Sequence, residues 1–365
     1  MALLSRIILP TISLAALLIG CGPTPNIIPD AKIGQEYPAP DEQEISNRTL
    51  EMILETSRKN YPDGARVLRD AHPKAHGCVK ANFEVANNVP PELAHGIFIK
   101  ANAYPAWIRY SNGAPEFPNS DKAGGIRGMA VKLMDVPGEK LLADEKNART
   151  QDFLLISFPI LPVGEPSEYL EIFEARFTGS PMKYFFGWNP FKWKLRAFNI
   201  VRKIRAAKAA DPFEVRYFST TPYRLGQTAV KYSTKPCELT NAKMPENPGD
   251  NYLREAMVSR LKSGGACFEF MVQPQIDAVK MPLEDSSIEW DEQASPFVTV
   301  AKIQIPPQEF DTADLNLACD NLSFTPWHSL PEHQPLGGIN RVRKTAYEGV
   351  SKFRHEQNKE KRQEP

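Results

Sequence analysis

Proline is the feature that most limits how this chain can fold. It accounts for 33 of the 365 residues, about 9% against the ~5% usual in soluble proteins. Proline lacks the backbone N–H that a helix interior needs, and it is tolerated in loops, in turns and at strand edges. The composition therefore disfavours a helix bundle.

Alternating polar and apolar residues begin just after Cys78 and predict β-strands. Helices are expected over residues 49–58, in the basic stretch 166–210 and in the last 25 residues. Strands on both sides of a helical insertion, with no regular strand–helix alternation, predict an α+β fold with an antiparallel sheet or barrel. The segments predicted as strands are residues 79–85, 106–110, 129–134, 213–218, 266–272 and 297–305.

The charge balance and the hydrophobic content exclude some classes of function. The 44 Lys and Arg residues balance 44 Asp and Glu residues, so the net charge is zero. Nucleic-acid binding needs a basic surplus, and no nucleic-acid partner is expected. With 42% hydrophobic and 24% charged residues, the chain has the composition of a globular protein.

Residues 1–21 read as a processing signal, with Arg6 before an apolar run that is too short to span a bilayer. The run ends in Leu18-Ile19-Gly20-Cys21, which resembles the lipobox of bacterial lipoproteins; an ordinary signal peptide with a chance cysteine is the alternative. The resemblance implies that Cys21 is acylated. Because Gly22 follows where an inner-membrane retention signal has Asp, it implies an outer-membrane lipoprotein of the bacterial envelope, facing the periplasm.

The mature chain is expected to divide into three parts. Residues 22–46 are proline-rich and predict a flexible tether, residues 47–357 form one domain, and residues 358–365 form a charged tail. Four cysteines remain after Cys21, and they allow three disulfide pairings or four buried thiols. They are Cys78, Cys237, Cys267 and Cys319.

The six histidines include two closely spaced pairs that are candidates for metal sites. His72 and His76 have the spacing of helical zinc ligands, but Pro73 and Gly77 indicate a loop that leads into a strand. His328 and His333 also lie among prolines, so a loop ordered by hydrogen bonds is favoured there over a loop metal site.

The C-terminal helix carries Arg343, Tyr347 and Arg354 at spacings of four and seven, which places them near one helix face. A nearby cation favours an ionised phenol, and phenolate is the haem ligand of catalases. From this helix alone, a charged surface helix with one anchoring tyrosine remains the more common explanation.

Taken together, several segments within residues 60–357 resemble the haem catalase superfamily, and specifically its smaller bacterial catalase-related proteins. Arg69-x-x-His72 resembles the segment that ends in the distal histidine, and Arg109-Tyr110-Ser111 resembles the strand that follows it. Residues 126–132, Ile-Arg-Gly-Met-Ala-Val-Lys, resemble a buried strand of that family, and Arg343-x-x-x-Tyr347 matches its proximal ligand motif.

The resemblance implies an antiparallel β-barrel with flanking helices and a bound haem b. Tyr347 would bind the ferric iron with Arg343 stabilising its phenolate. His72 would act as acid and base, held by Ser111, with His76 as the rival distal histidine. The remaining cofactor-binding residues would be Tyr169, in the place of a haem-stacking phenylalanine, and the propionate-binding arginines Arg69, Arg109 and Arg354.

The sequence departs from the family where catalases place a distal asparagine. Residues 155–160 read Leu-Ile-Ser-Phe-Pro-Ile, so Ile156 or Ser157 takes that place. The expected function is therefore a haem-dependent peroxidase or catalase-like enzyme acting on hydrogen peroxide or on organic and fatty-acid hydroperoxides, with hydroperoxide isomerase or dehydratase chemistry also compatible. The alternative is a non-catalytic haem- or ligand-binding envelope protein. Contact with the membrane is expected through the lipid anchor, and an oligomer is compatible with the sequence.

Overall fold

Antiparallel strand pairing organises this computed structural model, which describes residues 27–62, 64–113 and 120–360. The predicted alternation is visible in the first strand, where Val79, Ala81 and Phe83 are buried while Lys80 and Asn82 are exposed. The strands in the described chain are β1 (Ala75–Val85), β2 (Ala103–Asn112), β3 (Arg127–Leu133), β4 (Gln151–Ile156), β5 (Tyr217–Phe218), β6 (Tyr223–Leu225), β7 (Thr228–Pro236), β8 (Ala266–Pro274) and β9 (Val298–Ile305).

Eight of these strands close into a barrel. Strands β1 to β5 follow one another in the sheet, and β5 then pairs with β7, which continues through β8 and β9 back to β1. Strand β6 stands outside the ring as a hairpin partner of β7. The predicted antiparallel barrel is thus confirmed, and its interior is filled by packed rings such as Phe83, Phe153 and Phe270, whose centroids lie 5.0–6.3 Å apart.

Helices flank the barrel. The first helix packs against the second and the last, and Gly337, with a φ of 85° that suits glycine, precedes the last helix. The helices are α1 (Glu42–Asn60), α2 (Pro166–Phe177), α3 (Met182–Phe185), α4 (Leu195–Ala206), α5 (Tyr252–Ser263), α6 (Ala313–Asn321) and α7 (Gly338–Asn358).

Most of the segment predicted as a strand at residues 213–218 lies outside the sheet. Pro212–Glu214 forms a 3₁₀ turn, because the Asp211 carboxylate accepts a hydrogen bond from Phe213 N at 2.8 Å and begins the turn. Only Tyr217–Phe218 joins the sheet, as β5.

The expectation of a flexible tether as far as residue 46 is wrong at its C-terminal end. Helix α1 begins at Glu42, four residues earlier, and Gly34 N donates a hydrogen bond to Gln275 Oε1 at 2.8 Å. Arg341 of α7 forms ion pairs with both Glu36 and Glu42. These long-range contacts attach the segment to the domain. The predicted signal and Cys21 lie outside the described residues.

Two disulfides connect the four remaining cysteines. Cys78 of β1 is bonded to Cys319 of α6, and Cys237 is bonded to Cys267 of β8. The first bond attaches a flanking helix to the barrel. Among the described residues, no helix combines the length and the apolar character that crossing a bilayer requires.

Candidate active site

One cavity gathers side chains from distant parts of the chain. Its volume is about 220 Å³. Its walls come from β2, β3, β4, α2, α7 and the loop before β1. The lining includes Arg69, His72, Arg109, Ser111, Ile126, Gly128, Ile156, Leu161, Tyr169, Thr220, Phe324, Ile339, Arg343 and Tyr347.

His72 is held in the cavity by three local features. Its backbone adopts a φ of 59°, in the left-handed region that non-glycine residues rarely enter. Ser111 Oγ lies 3.0 Å from His72 Nδ1, and the Arg109 guanidinium donates a hydrogen bond to the His72 carbonyl oxygen at 2.9 Å. Strand β2 therefore fixes both the ring and the backbone of this loop residue.

Gly128 of β3 provides the flat surface against which the His72 ring packs. A Cβ atom at this position would lie 2.4 Å from His72 Nδ1 and 2.7 Å from Ser111 Oγ, far inside normal contact distance. The sequence motif predicts that Gly128 lies in a buried strand and indicates no role for it. The sequence feature that could have indicated its importance is its position directly after Arg127 in the motif of residues 126–132.

His72 is neutral at physiological pH. Burial lowers the pKa of His72 to about 3, and the positive charges of Arg109 and Arg343 act in the same direction. The ring can therefore accept a proton. Because His72 Nδ1 lies within hydrogen-bond distance of Ser111 Oγ, Nε2 is the ring nitrogen that is available to a molecule in the cavity.

Tyr347 lies on α7 one turn after Arg343. Arg343 donates a hydrogen bond to the Tyr347 hydroxyl at 3.3 Å, and its guanidinium carbon lies 5.2 Å from the centre of the tyrosine ring. The other terminal nitrogen of the guanidinium donates hydrogen bonds to Asn340 Oδ1 at 3.1 Å and to Thr221 Oγ1 at 3.3 Å. No sequence motif points to Asn340 or Thr221, although Asn340 lies one helical turn before Arg343.

Three buried or half-buried arginines form a positive cluster beside the cavity. Burial is the main cause that lowers the pKa of both Arg69 and Arg109, in the latter case to about 10. Repulsion from neighbouring arginines adds to this shift, and the Asp320 carboxylate opposes it. Arg354 is close enough to both arginines to contribute to these pKa shifts. It does not line the cavity in the described chain, and its guanidinium donates a hydrogen bond to the Asp320 carbonyl oxygen at 2.5 Å. Such a cluster favours an anionic ligand.

Tyr169 of α2 also faces the cavity, beside Tyr347. Burial raises the pKa of Tyr169, and the proximity of Tyr347 and Asp70 raises it further, so its phenol stays protonated. It packs in a cluster with Ile339 of α7. Its position combines an aromatic face with a neutral hydroxyl.

The end of β4 presents an apolar side chain to the cavity. Ile156 lines the wall, whereas the Ser157 hydroxyl accepts a hydrogen bond from Arg127 N at 2.8 Å and does not reach the cavity. Ile126 and Leu161 extend the apolar surface. Of the residues Ile156 and Ser157, the first lines the cavity and the second does not.

His76 is separate from the cavity. Its Nε2 atom lies 2.9 Å from Asn112 Oδ1, and Asn112 in turn contacts Asp121 and Arg127. Burial lowers the pKa of His76 to about 4 despite the nearby Asp121 carboxylate. The geometry brings His72, and not His76, together with Ser111 and Tyr347.

The histidines near the C-terminus are engaged in hydrogen bonds. His328 contacts Thr150 and Glu145 through its two ring nitrogens. His333 bonds to the Tyr232 hydroxyl at 2.9 Å and accepts from Ile97 N at 3.0 Å. Across the described ranges, no group of three or more His, Cys, Asp and Glu side chains could hold a metal ion.

Comparison with solved structures identifies the architecture. A fungal catalase matches over 89% of this chain and 65% of its own length, with a TM-score of 0.57 and 14% identity. Catalase A from Saccharomyces cerevisiae matches over 90% and 68% (TM-score 0.61, 13% identity), and a bacterial catalase over 91% and 64% (TM-score 0.55, 15% identity).

The chain spans about two thirds of the length of these catalases. No protein-family model matches the sequence, and no curated protein sequence matches it. At these identities the likeness concerns the backbone architecture alone. The chain has the fold of catalases.

Proposed function

We propose that this protein is a haem-dependent enzyme that consumes hydroperoxides. The observation that carries the proposal is the convergence of His72 and Tyr347, 275 positions apart, on one cavity beside a cluster of arginines. Tyrosine and histidine facing one space, with cations at its edge, suit a group that combines iron with carboxylates. The catalase fold supports the same conclusion.

The residues present fit haem b. Arg109 Nε is buried without a hydrogen-bond partner in the described chain, and it lies in the arginine cluster that a propionate would neutralise. Arg69 shares that cluster, and Arg354 adds charge from behind it. Ile156 and Ile339 provide the apolar surface on which a porphyrin would lie.

Tyr347 would hold the ferric iron through its phenolate oxygen. The hydrogen bond from Arg343 stabilises negative charge on that oxygen, since a charged donor strengthens such a bond. Haem bound here would supply the redox-active iron that cleaves the O–O bond. Tyr169 would contact the flat face of the ring system, and its protonated hydroxyl adds no charge there.

His72 would move the proton. Its neutral ring can take a proton from the hydroperoxide O–H group at Nε2 and return it to the leaving oxygen. The Ser111 contact keeps the ring in one orientation, and the left-handed backbone of His72 aims the side chain from the loop into the cavity. Ser111 is accordingly a positioning residue.

The apolar wall favours an organic substrate. Ile156, Ile126 and Leu161 offer no hydrogen bond to hydrogen peroxide, whereas they suit the hydrocarbon chain of a lipid hydroperoxide. We therefore propose organic or fatty-acid hydroperoxides as the preferred substrates. Reduction, isomerisation and dehydration of the hydroperoxide are all compatible with this arrangement.

The same apolar wall supports a second candidate function. With Ile156 in place of a polar group, the fold can keep its haem as a binding protein without turnover. A haem-loaded protein that consumes neither hydrogen peroxide nor a fatty-acid hydroperoxide would favour this candidate.

The cellular site is also a proposal. The lipobox-like Leu18-Ile19-Gly20-Cys21 supports acylation of Cys21 and attachment to the outer membrane of a bacterial envelope. Radiolabelled palmitate incorporated into the wild-type protein, and absent from Cys21→Ala, would support the anchor. An unlabelled wild-type protein would overturn it.

The test of the catalytic proposal is turnover by the haem-loaded protein. We expect His72→Ala to lower kcat/KM for a fatty-acid hydroperoxide by at least about a hundredfold, while haem content stays unchanged. The matched control is His95→Ala, because His95 does not line the cavity. Unchanged turnover in His72→Ala would overturn the assignment.

A further inference from the structure

One surface segment has a charge composition unlike the rest of the chain. Residues 175–210 contain no Asp or Glu, although the whole protein is electrically neutral. The stretch covers the end of α2 and the whole of α3 and α4. Its cations are Arg176, Lys183, Lys192, Lys194, Arg196, Arg202, Lys203, Arg205 and Lys208.

Large apolar side chains protrude from the same segment. Trp188 is fully exposed at 105% of its reference surface, Phe191 is 75% exposed and Met182 is 52% exposed. Exposing a tryptophan completely to water forfeits the burial of its large apolar surface. A fully exposed Trp three residues from a largely exposed Phe is the kind of apolar surface that marks an interaction site.

The protruding residues lie on a loop that is held by a ring contact and hydrogen bonds. The Phe186 and Trp193 rings meet edge to face at 5.4 Å, and Trp193 Nε1 donates to the Gly187 carbonyl at 2.9 Å. Asn189 Oδ1 accepts from Phe191 N at 3.0 Å at the tip. Between these fixed ends the chain presents Trp188 and Phe191 outward, so ordering them on a surface costs little further entropy.

Two lysines flank this tip in the sequence. Lys183 and Lys192 are exposed, and neither has an ion-pair partner in the part of the chain that the structure describes. Lys194, by contrast, pairs with Glu168 and Glu171 of α2. The unpaired charges and the apolar tip therefore lie within one stretch of about ten residues.

We propose that residues 182–192 form a docking surface for an anionic phospholipid bilayer. Tryptophan and phenylalanine insert at the level of the lipid headgroups, and lysines attract the negative surface around them. An acidic protein partner would exploit the charge but would need a larger apolar patch than this narrow tip offers. The inference stands independently of the haem chemistry.

The surface also lies close to the cavity wall. The cluster behind the tip contains Phe185, Phe186 and Phe198 and extends to Leu161 and Tyr169, which line the cavity. A bilayer bound at the tip would therefore lie on the side of the protein where α2 contributes Tyr169 to the cavity wall.

The test uses the chain from Gly22 onward, which retains every described helix and strand and lacks the predicted lipid anchor. Co-sedimentation is measured with vesicles of phosphatidylcholine alone and of phosphatidylcholine mixed with phosphatidylglycerol. We expect binding to the mixed vesicles, about tenfold weaker in Trp188→Ala and about fivefold weaker in each of Lys183→Ala and Lys192→Ala.

Matched controls come from other exposed positions. Ile99→Ala, at a residue that is 68% exposed, and Lys280→Ala, at a lysine outside the segment, should leave binding unchanged. Brominated acyl chains should quench tryptophan fluorescence in the wild type and not in Trp188→Phe. Equal binding by wild type and Trp188→Ala, equal affinity for a DNA duplex, or equal loss in the controls would each overturn the proposal.

Discussion

Arg343 donates a hydrogen bond to the hydroxyl of Tyr347 from one turn earlier on α7, at 3.3 Å. Burial lowers the pKa of Arg343, but the neighbouring phenol oxygens of Tyr347, Tyr223 and Tyr169 outweigh burial and raise it above its ordinary value. The guanidinium therefore remains charged within the protein interior. This fixed cation is the physical basis for proposing Tyr347 as an anionic ligand.

Replacing Arg343 with methionine should weaken haem binding by about tenfold, because a charged hydrogen bond to the ligand oxygen is lost. Haem titration followed by absorbance measures the change. The matched control is Arg341→Met on the same helix, where the arginine pairs with Glu36, Glu42 and Glu284 outside the cavity. Equal haem affinity in wild type and Arg343→Met would contradict the role of the cation.

Adding a single methyl group at Gly128 should disable the site while the barrel still folds. The new Cβ would lie 2.4 Å from His72 Nδ1, so the ring must move away from Ser111. We expect turnover to fall about a hundredfold through misplacement of His72. Gly264→Ala is the control, because nothing lies within 4 Å of its Cβ. Full activity in Gly128→Ala would show that His72 orientation is unimportant.

Acid should destabilise the haem-free protein through His72. Its folded pKa is about 3, against 6.5 for an ordinary histidine, so the unfolded state binds a proton first as pH falls. Between pH 6.5 and 3 this lowers the free energy of unfolding by about 1.4 kcal/mol per pH unit. His72→Gln should remove that contribution. Urea unfolding at pH 7, 6 and 5 measures the free energy of unfolding of both proteins. The prediction is refuted if this free energy changes equally with pH in the wild type and in His72→Gln.

The disulfide between Cys78 and Cys319 should contribute more stability than the other bond. It spans 241 residues of chain, whereas Cys237–Cys267 spans 30. Loop-closure entropy predicts about 5 kcal/mol for the first and about 4 kcal/mol for the second. Urea unfolding of Cys78→Ala/Cys319→Ala and of Cys237→Ala/Cys267→Ala compares them. A larger loss from the second pair would reverse the expected order.

Residues whose role follows from local pattern were predictable. Alternation predicts β1, β2, β3, β8 and β9, and helical spacing places Arg343 and Tyr347 on one face of α7. The motifs around His72 and Ser111 identified two residues that the structure brings to 3.0 Å of each other. For the strands and the helix the determining contacts lie within one element, whereas His72 and Ser111, 39 positions apart, were identified by the resemblance of their two motifs.

Features set by long-range contact were not predictable. Proline-rich composition indicated a tether as far as residue 46, but the residues that attach it, such as Gln275 and Arg341, lie hundreds of positions away. The pairing of Cys78 with Cys319 depends on where α6 packs. Likewise, the closeness of Gly128 to the His72 ring depends on the register between β2 and β3.

The most direct test of the central claim is the absorption spectrum of the chain from Gly22 onward, expressed with added haem, beside Tyr347→Phe. We expect a ferric high-spin spectrum with the charge-transfer bands of phenolate ligation in the wild type, and their loss in the variant. The phenylalanine variant should remain folded, because only the hydroxyl is removed. A wild-type protein that binds no haem, or a spectrum unchanged by Tyr347→Phe, would contradict the account.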